Sequence, residues 1–158
     1  MGLALFSEGR RVTKPYMLAV LAGANADLGN ASEGLELLKD ALVSTEESGE
    51  CWWVAELHHL RGRLLLSREQ HAESETCFRR ALEVSGGQRA KLLELRASMS
   101  LARLWRDQGK VQQARELLAP VYGWFTEGFD TRDLKEAKAL LEELTACANQ
   151  TPASIYAP

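Results

Sequence analysis

The chain has 158 residues, of which 46% are hydrophobic and 26% charged, and a formal net charge of −3. That length accommodates one domain with a sizeable core or a short array of repeats, and the composition is that of an ordinary soluble protein. No apolar run approaches the roughly 18 residues a membrane-spanning helix requires, which excludes a spanning helix. MGLALF (1–6) is too short for a signal-peptide core, and Arg10, Arg11 and Lys14 follow it instead of leading it, so a cytoplasmic location is expected.

Charge is unevenly spread. Residues 16–50 hold one Lys against seven acids, whereas 51–126 hold twelve Lys and Arg against eight acids. The basic middle is too weak for a nucleic-acid-binding domain, which carries a concentrated basic stripe. Cys51, Cys77 and Cys147 are odd in number, far apart and without a CxxC pair. They fit reduced thiols better than a disulfide framework or a zinc site.

Taken in order, the chain reads as helices throughout. Residues 2–9 resemble the tail of a helix whose beginning is missing, which suggests a fragment of a longer protein. Pro15 opens the first complete helix as a favourable first-turn residue. It runs to about Asp27 with Leu18, Leu21, Ala22 and Ala24 inward, and Gly29-Asn30 turns the chain. A second helix, about 31–45, turns Leu35, Leu38, Ala41 and Leu42 inward. The third, about 51–67, carries the stripe Leu57, Leu60, Leu64 and Leu65, and Gly62 is a close-packing position. Of the adjacent Trp52 and Trp53, only one can be fully inward. The fourth spans about 72–85 and stops at Gly86-Gly87. The fifth spans about 89–107, with Leu93, Ala97, Leu101, Ala102 and Trp105 inward.

After Gln108-Gly109-Lys110, a sixth helix covers about 111–125, and Pro120 within it should bend it. Tyr122, Trp124, Phe125 and Phe129 are expected to form a hydrophobic seam against the next helix. Asp130 or Thr131 caps that last helix, about 132–147, with Leu134, Ala137, Leu140, Leu141 and Leu144 inward. Residues 148–158 read as a flexible tail.

GLELLKDAL (34–42), SETCFRRAL (74–82) and ARELLAPVY (114–122) align at a spacing of forty. The columns Gly34/Ser74/Ala114, Leu38/Phe78/Leu118 and Ala41/Ala81/Val121 follow one helix face. A period of about 20 to 50 residues marks a solenoid or array. The expected architecture is all-α, with antiparallel helix pairs at about 13–49, 50–87 and 88–128. A capping helix at 131–147 completes a single domain, 1–147.

These columns resemble the tetratricopeptide repeat. The third unit carries the likeness best, through Leu101-Ala102, Trp105, Gly109, Ala114, Leu118 and Val121. The second departs from the motif at Arg61 and Glu69, and the first at Asn25. The resemblance implies a tetratricopeptide-like right-handed superhelix with longer helices than the usual units. ELHHLRGRLLL (56–66), ETCFRRALEV (75–84), LELRASMSLARLW (93–105) and residues 117–144 are also similar to the C-terminal helical region of bacterial multidomain proteins. In that family an adenylate/guanylate cyclase or a DNA-binding domain precedes a signal-transduction ATPase and then the repeats. Nearly the whole chain is covered, and no catalytic residue carries over. No GxxxxGK[ST] phosphate loop is present.

The likeness further implies that first helices line a concave groove. Its positions here are Tyr16, Ala19 and Gly23; then Glu56, His59, Arg63 and Leu66; then Arg96, Met99, Arg103 and Arg106. Four arginines would favour an acidic peptide or carboxylate through bidentate hydrogen bonds. Among the three histidines, adjacent His58 and His59 point about 100° apart on a helix and lack an HExxH context. The chain is therefore expected to be non-enzymatic, without cofactor or metal. Its expected role is a protein–protein or interdomain scaffold, the C-terminal regulatory module of a larger bacterial signalling protein. Its partner would be a protein or peptide segment, acidic in character, or an upstream ATPase or cyclase domain in the same chain; neither nucleic acid nor membrane is expected. A homo-oligomerisation domain, such as a homodimer, is the alternative, and a small-ligand sensor has the least support.

Overall fold

The structure, a computed structural model, describes residues 2–49 and 51–150, with side chains from 14 to 149 apart from residue 50. Among the described residues there are seven α-helices and no strand. They are α1 (Gly2–Asp27), α2 (Ala31–Ser48), α3 (Val54–Leu66), α4 (His71–Gly87), α5 (Lys91–Asp107), α6 (Val111–Gly123) and α7 (Arg132–Gln150). Two compact units divide between Ala97 and Ser98, within α5.

In the first unit α1 packs on α2 and α3 on α4, with α3 also touching α1 and α2. Its core gathers Ala19 and Ala22 of α1, Leu38 and Ala41 of α2, and Leu57, Leu60 and Leu64 of α3. Small side chains set the closest approaches. A Cβ on Gly62 would stand 2.5 Å from the Phe78 ring, and one on Gly34 would stand 2.8 Å from Leu64 Cδ1. Between α3 and α4, the buried Ser74 hydroxyl donates to the Gly62 carbonyl at 2.8 Å. In the second unit α6 packs on α7, and Ala114, Leu118, Leu134, Ala137, Leu140 and Leu144 are all buried.

Three turns spaced by forty residues share one geometry, which the turn at Arg89 also adopts. Gly29, Glu69 and Gly109 have φ of 77°, 61° and 78°. Each is followed by an amide that bonds back across the helix end: Asn30 to the Asn25 carbonyl (2.9 Å), Gln70 to Leu65 (3.0 Å) and Lys110 to Trp105 (2.8 Å). This left-handed C-terminal cap satisfies carbonyls that the helix leaves open. Glycine adopts it without strain; Glu69 does not.

Several expected boundaries are corrected. Pro15 does not open a helix: α1 is continuous from Gly2 to Asp27 with Pro15 inside it. Residues 10–14 contain no glycine or turn pair to stop the chain there. The inward face of α1 is Pro15, Ala19 and Ala22, whereas Leu21 and Ala24 point outward. α3 starts at Val54, because 51–53 form a turn whose Cys51 carbonyl accepts bonds from the Val54 amide and the Gln88 side chain. α4 ends at Gly87, within the expected Gly86-Gly87 stop, and Arg89, with φ of 55°, makes the turn that follows. α6 ends two residues early, and bonds of 3.4 and 3.2 Å from the Trp124 and Phe125 amides to the Val121 and Tyr122 carbonyls, each three residues back, follow its last turn. α7 continues to Gln150, so 148–150 belong to a helix. The remainder of the expected tail, 151–158, lies outside the described residues.

Candidate partner-binding face

The expected groove residues of α1, α3 and the start of α5 lie in the first unit. Tyr16 is partly exposed and its ring centroid lies 4.7 Å from that of Trp53. One turn along α3, Glu56 Oε2 lies 3.7 Å from His59 Nδ1, too long for a hydrogen bond. A further turn on, Arg63 donates to Asp27 at 3.0 Å and so ties α3 to α1. Burial works against ionisation of Glu56, but His59 and then the Arg96 and Arg63 charges outweigh it, and its carboxyl is held below the usual range. His59, Arg96 and Arg63 thus act electrostatically on the one carboxylate of Glu56.

Burial separates the accessible members from the structural ones. Ala19 is 5% exposed and His59 7%. They support the face and do not present themselves on it. His59 instead lies against Phe78, with ring centroids 5.9 Å apart. Trp53 and Asp27 join the face although the repeat likeness did not assign them. The only prior signal was the Trp52-Trp53 pair, and the structure resolves it: Trp52 is 79% exposed while Trp53 is half-buried.

In the second unit Met99 is buried, at 3% exposure. Arg103 donates to Glu136 at 3.2 Å, and Arg106 bonds Asp107 (2.9 Å) and Glu143 (2.8 Å). Glu136 is held below the ordinary range mainly by its hydrogen bond from Arg132, with Arg103 adding to it. Arg63, Arg103 and Arg106 therefore already have a carboxylate partner within the chain. An acidic ligand would have to displace or share these exposed pairs, which cost little to break.

The aromatic seam is only partly a seam. Tyr122 and Phe125 are half-buried, but Trp124 and Phe129 are 58% and 46% exposed. Tyr122 faces a cleft of about 490 Å³ whose other wall is α7, with Lys138, Leu141, Thr145 and Ala146. Lacking a second apolar layer, these rings cannot all be covered by α7 alone.

Chemistry of other kinds finds little here. Among the described residues no group of three or more His, Cys, Asp or Glu is placed to hold a metal. His58 is pushed below its usual range by burial and then by the Arg80 and Arg61 charges, which suits a packed histidine. Burial raises the Cys77 thiol, the opposite of what a nucleophile requires. None of the helices is long and apolar enough, over the described residues, to cross a membrane. Set against known proteins, the chain matches no protein-family model and no curated protein.

Proposed function

We propose that the chain is a non-catalytic scaffold that binds a protein or peptide segment, or a neighbouring domain of a longer signalling protein. The observation that carries this reading is the first-unit face, where Tyr16 and Trp53 lie together and Arg63 and Arg96 act on the Glu56 carboxylate, beside the close-packed core of α1, α2 and α3. A rigid surface combining aromatic rings with guanidinium groups suits recognition of a polypeptide carrying carboxylates. The common cap geometry at Gly29, Glu69 and Gly109, forty positions apart, supports a tetratricopeptide-like superhelix as the framework. The regulatory role beside an ATPase or cyclase domain rests on the sequence likeness.

The test is a fluorescence titration against an array of acidic twelve-residue peptides, with a scrambled-charge array as control. Saturable binding that Arg63→Glu and Arg96→Glu each weaken by roughly tenfold, with helical circular dichroism retained, is the expected result. Turnover of a substrate by the isolated chain, or peptide binding indifferent to both substitutions, would overturn the reading.

A further inference from the structure

Arg61 stands where the forty-residue spacing otherwise places leucine, Leu21 on one side and Leu101 on the other. In the same unit Arg63 holds Asp27, Arg79 holds Glu75 and Arg80 holds Glu83. Arg61 makes no ion pair or side-chain hydrogen bond among the described residues. It lies instead on the wall of a cleft of about 290 Å³ between α2 and α3. The α2 wall runs from Leu35 to Glu46, about three turns of one helical face.

The lining of this cleft sets three demands on an occupant. Leu35, Leu42, Val43 and Leu65 make it largely apolar, which calls for an apolar group. Its charged members are two acids, Glu36 and Glu46, and two bases, Lys39 and Arg61. Among the described residues none of these four is paired with another side chain. A bare anion would meet both acids and a bare cation both bases, whereas a molecule with one charge of each sign complements the set. At about 290 Å³ the cleft is also at the small end of ligand pockets, which begin near 300 Å³. That size suits a single small molecule and is too small for a folded segment.

The helices place the two charges that matter. Residues 49–53 connect α2 to α3 so shortly that the helices are antiparallel neighbours. Gly34 lies against Leu64, so Arg61, three residues earlier on α3, stands level with about residue 37 of α2. Glu36 is therefore its near acid, and Glu46 lies more than about 10 Å further along. We infer that this cleft binds a free amino acid with an apolar side chain. The carboxylate sits on the Arg61 guanidinium, whose planar fork fits it with two hydrogen bonds. The ammonium sits on Glu36, and the side chain lies on the apolar lining. Arg61 and Leu65 are on the opposite side of α3 from Glu56, His59 and Arg63, so the site does not depend on the peptide-binding reading.

Isothermal titration calorimetry of the full chain with leucine and with phenylalanine tests the inference. Saturable one-to-one binding is expected, at about 0.1 to 1 mM for so small a ligand. Isocaproate lacks the ammonium of leucine, isoamylamine lacks its carboxylate, and glycine lacks its side chain; each should bind roughly tenfold more weakly or worse. Arg61→Gln and Glu36→Gln, both at exposed positions, should each weaken leucine binding by roughly tenfold with helical circular dichroism retained. No saturable binding of either amino acid up to about 10 mM overturns the inference. So does leucine binding indifferent to Arg61→Gln or to Glu36→Gln. Isocaproate or isoamylamine binding as tightly as leucine would show a site for a single charge and overturns it as well.

Discussion

Gly62 and Phe78 meet so closely that a single added methyl on the glycine would lie 2.5 Å from the ring edge. The Phe78 ring is wholly buried, and it also lies against His59, one turn before Gly62 on α3. It therefore has nowhere to retreat without carrying α4 away from α3.

This contact decides the sign of Gly62→Ala. On an unconstrained helix the change would stabilise by about 1 kcal/mol. Overpacking at a buried contact costs about 1–3 kcal/mol, so a net loss of about 1 kcal/mol or more is expected. The midpoint of urea unfolding should fall for Gly62→Ala. For Gly86→Ala, where an added Cβ meets nothing, it should rise or stay level.

Glu69 holds a left-handed conformation that glycine holds at the equivalent turns, Gly29 and Gly109. A side chain there costs about 1–2 kcal/mol, while the greater freedom of glycine in the unfolded chain returns less than about 1 kcal/mol of it. Glu69→Gly should therefore stabilise by a few tenths to about 1 kcal/mol, read as a higher melting temperature by calorimetry. A lower one would mean that the Glu69 side chain contributes more than its backbone costs.

Acid should weaken the first unit in two windows. The Glu56 carboxyl is held below its ordinary 4.5 by His59, Arg96 and Arg63 in spite of burial. Its contribution is thus complete above 4.5 and lost as pH falls through the lower folded value. His58, depressed by burial and then by Arg80 and Arg61 from 6.5, acts earlier: the fold loses stability once the unfolded imidazole begins to bind a proton below 6.5. Denaturant midpoints measured from pH 7.5 to 3 should decline in both windows. Glu56→Gln should flatten the lower one alone, and His58→Gln the upper one alone.

The three thiols should separate by reactivity. Cys51 and Cys147 are exposed, whereas Cys77 is buried and its thiol is raised by that burial. Brief iodoacetamide treatment of the native chain followed by peptide mass spectrometry should label the first two and spare Cys77. Labelling of all three at similar rates would show that α4 opens readily from α3.

The sequence by itself determined that the described chain is helical, and the placement of most helices. The stripe Leu57, Leu60, Leu64 and Leu65 could be read directly because a helix repeats its facing every three to four residues. All four are buried. The positions Gly29 and Gly109 announced their turns because glycine is the residue that a left-handed cap favours. Turns held by Glu69 and Arg89 gave no such signal, since neither residue type favours the left-handed conformation it holds there.

Only the tertiary structure decided which face of α1 is inward, because that helix is apolar on both sides and periodicity cannot rank two apolar faces. It alone withdrew Ala19, His59 and Met99 into the interior and brought Trp53 and Asp27 to the surface beside Tyr16 and Arg63. It also supplied each of Arg63, Arg103 and Arg106 with a carboxylate from another helix. Exposure and ion pairing depend on how closely neighbouring helices approach. Small residues such as Gly34 and Gly62 set that distance through partners, Leu64 and Phe78, that linear order does not name.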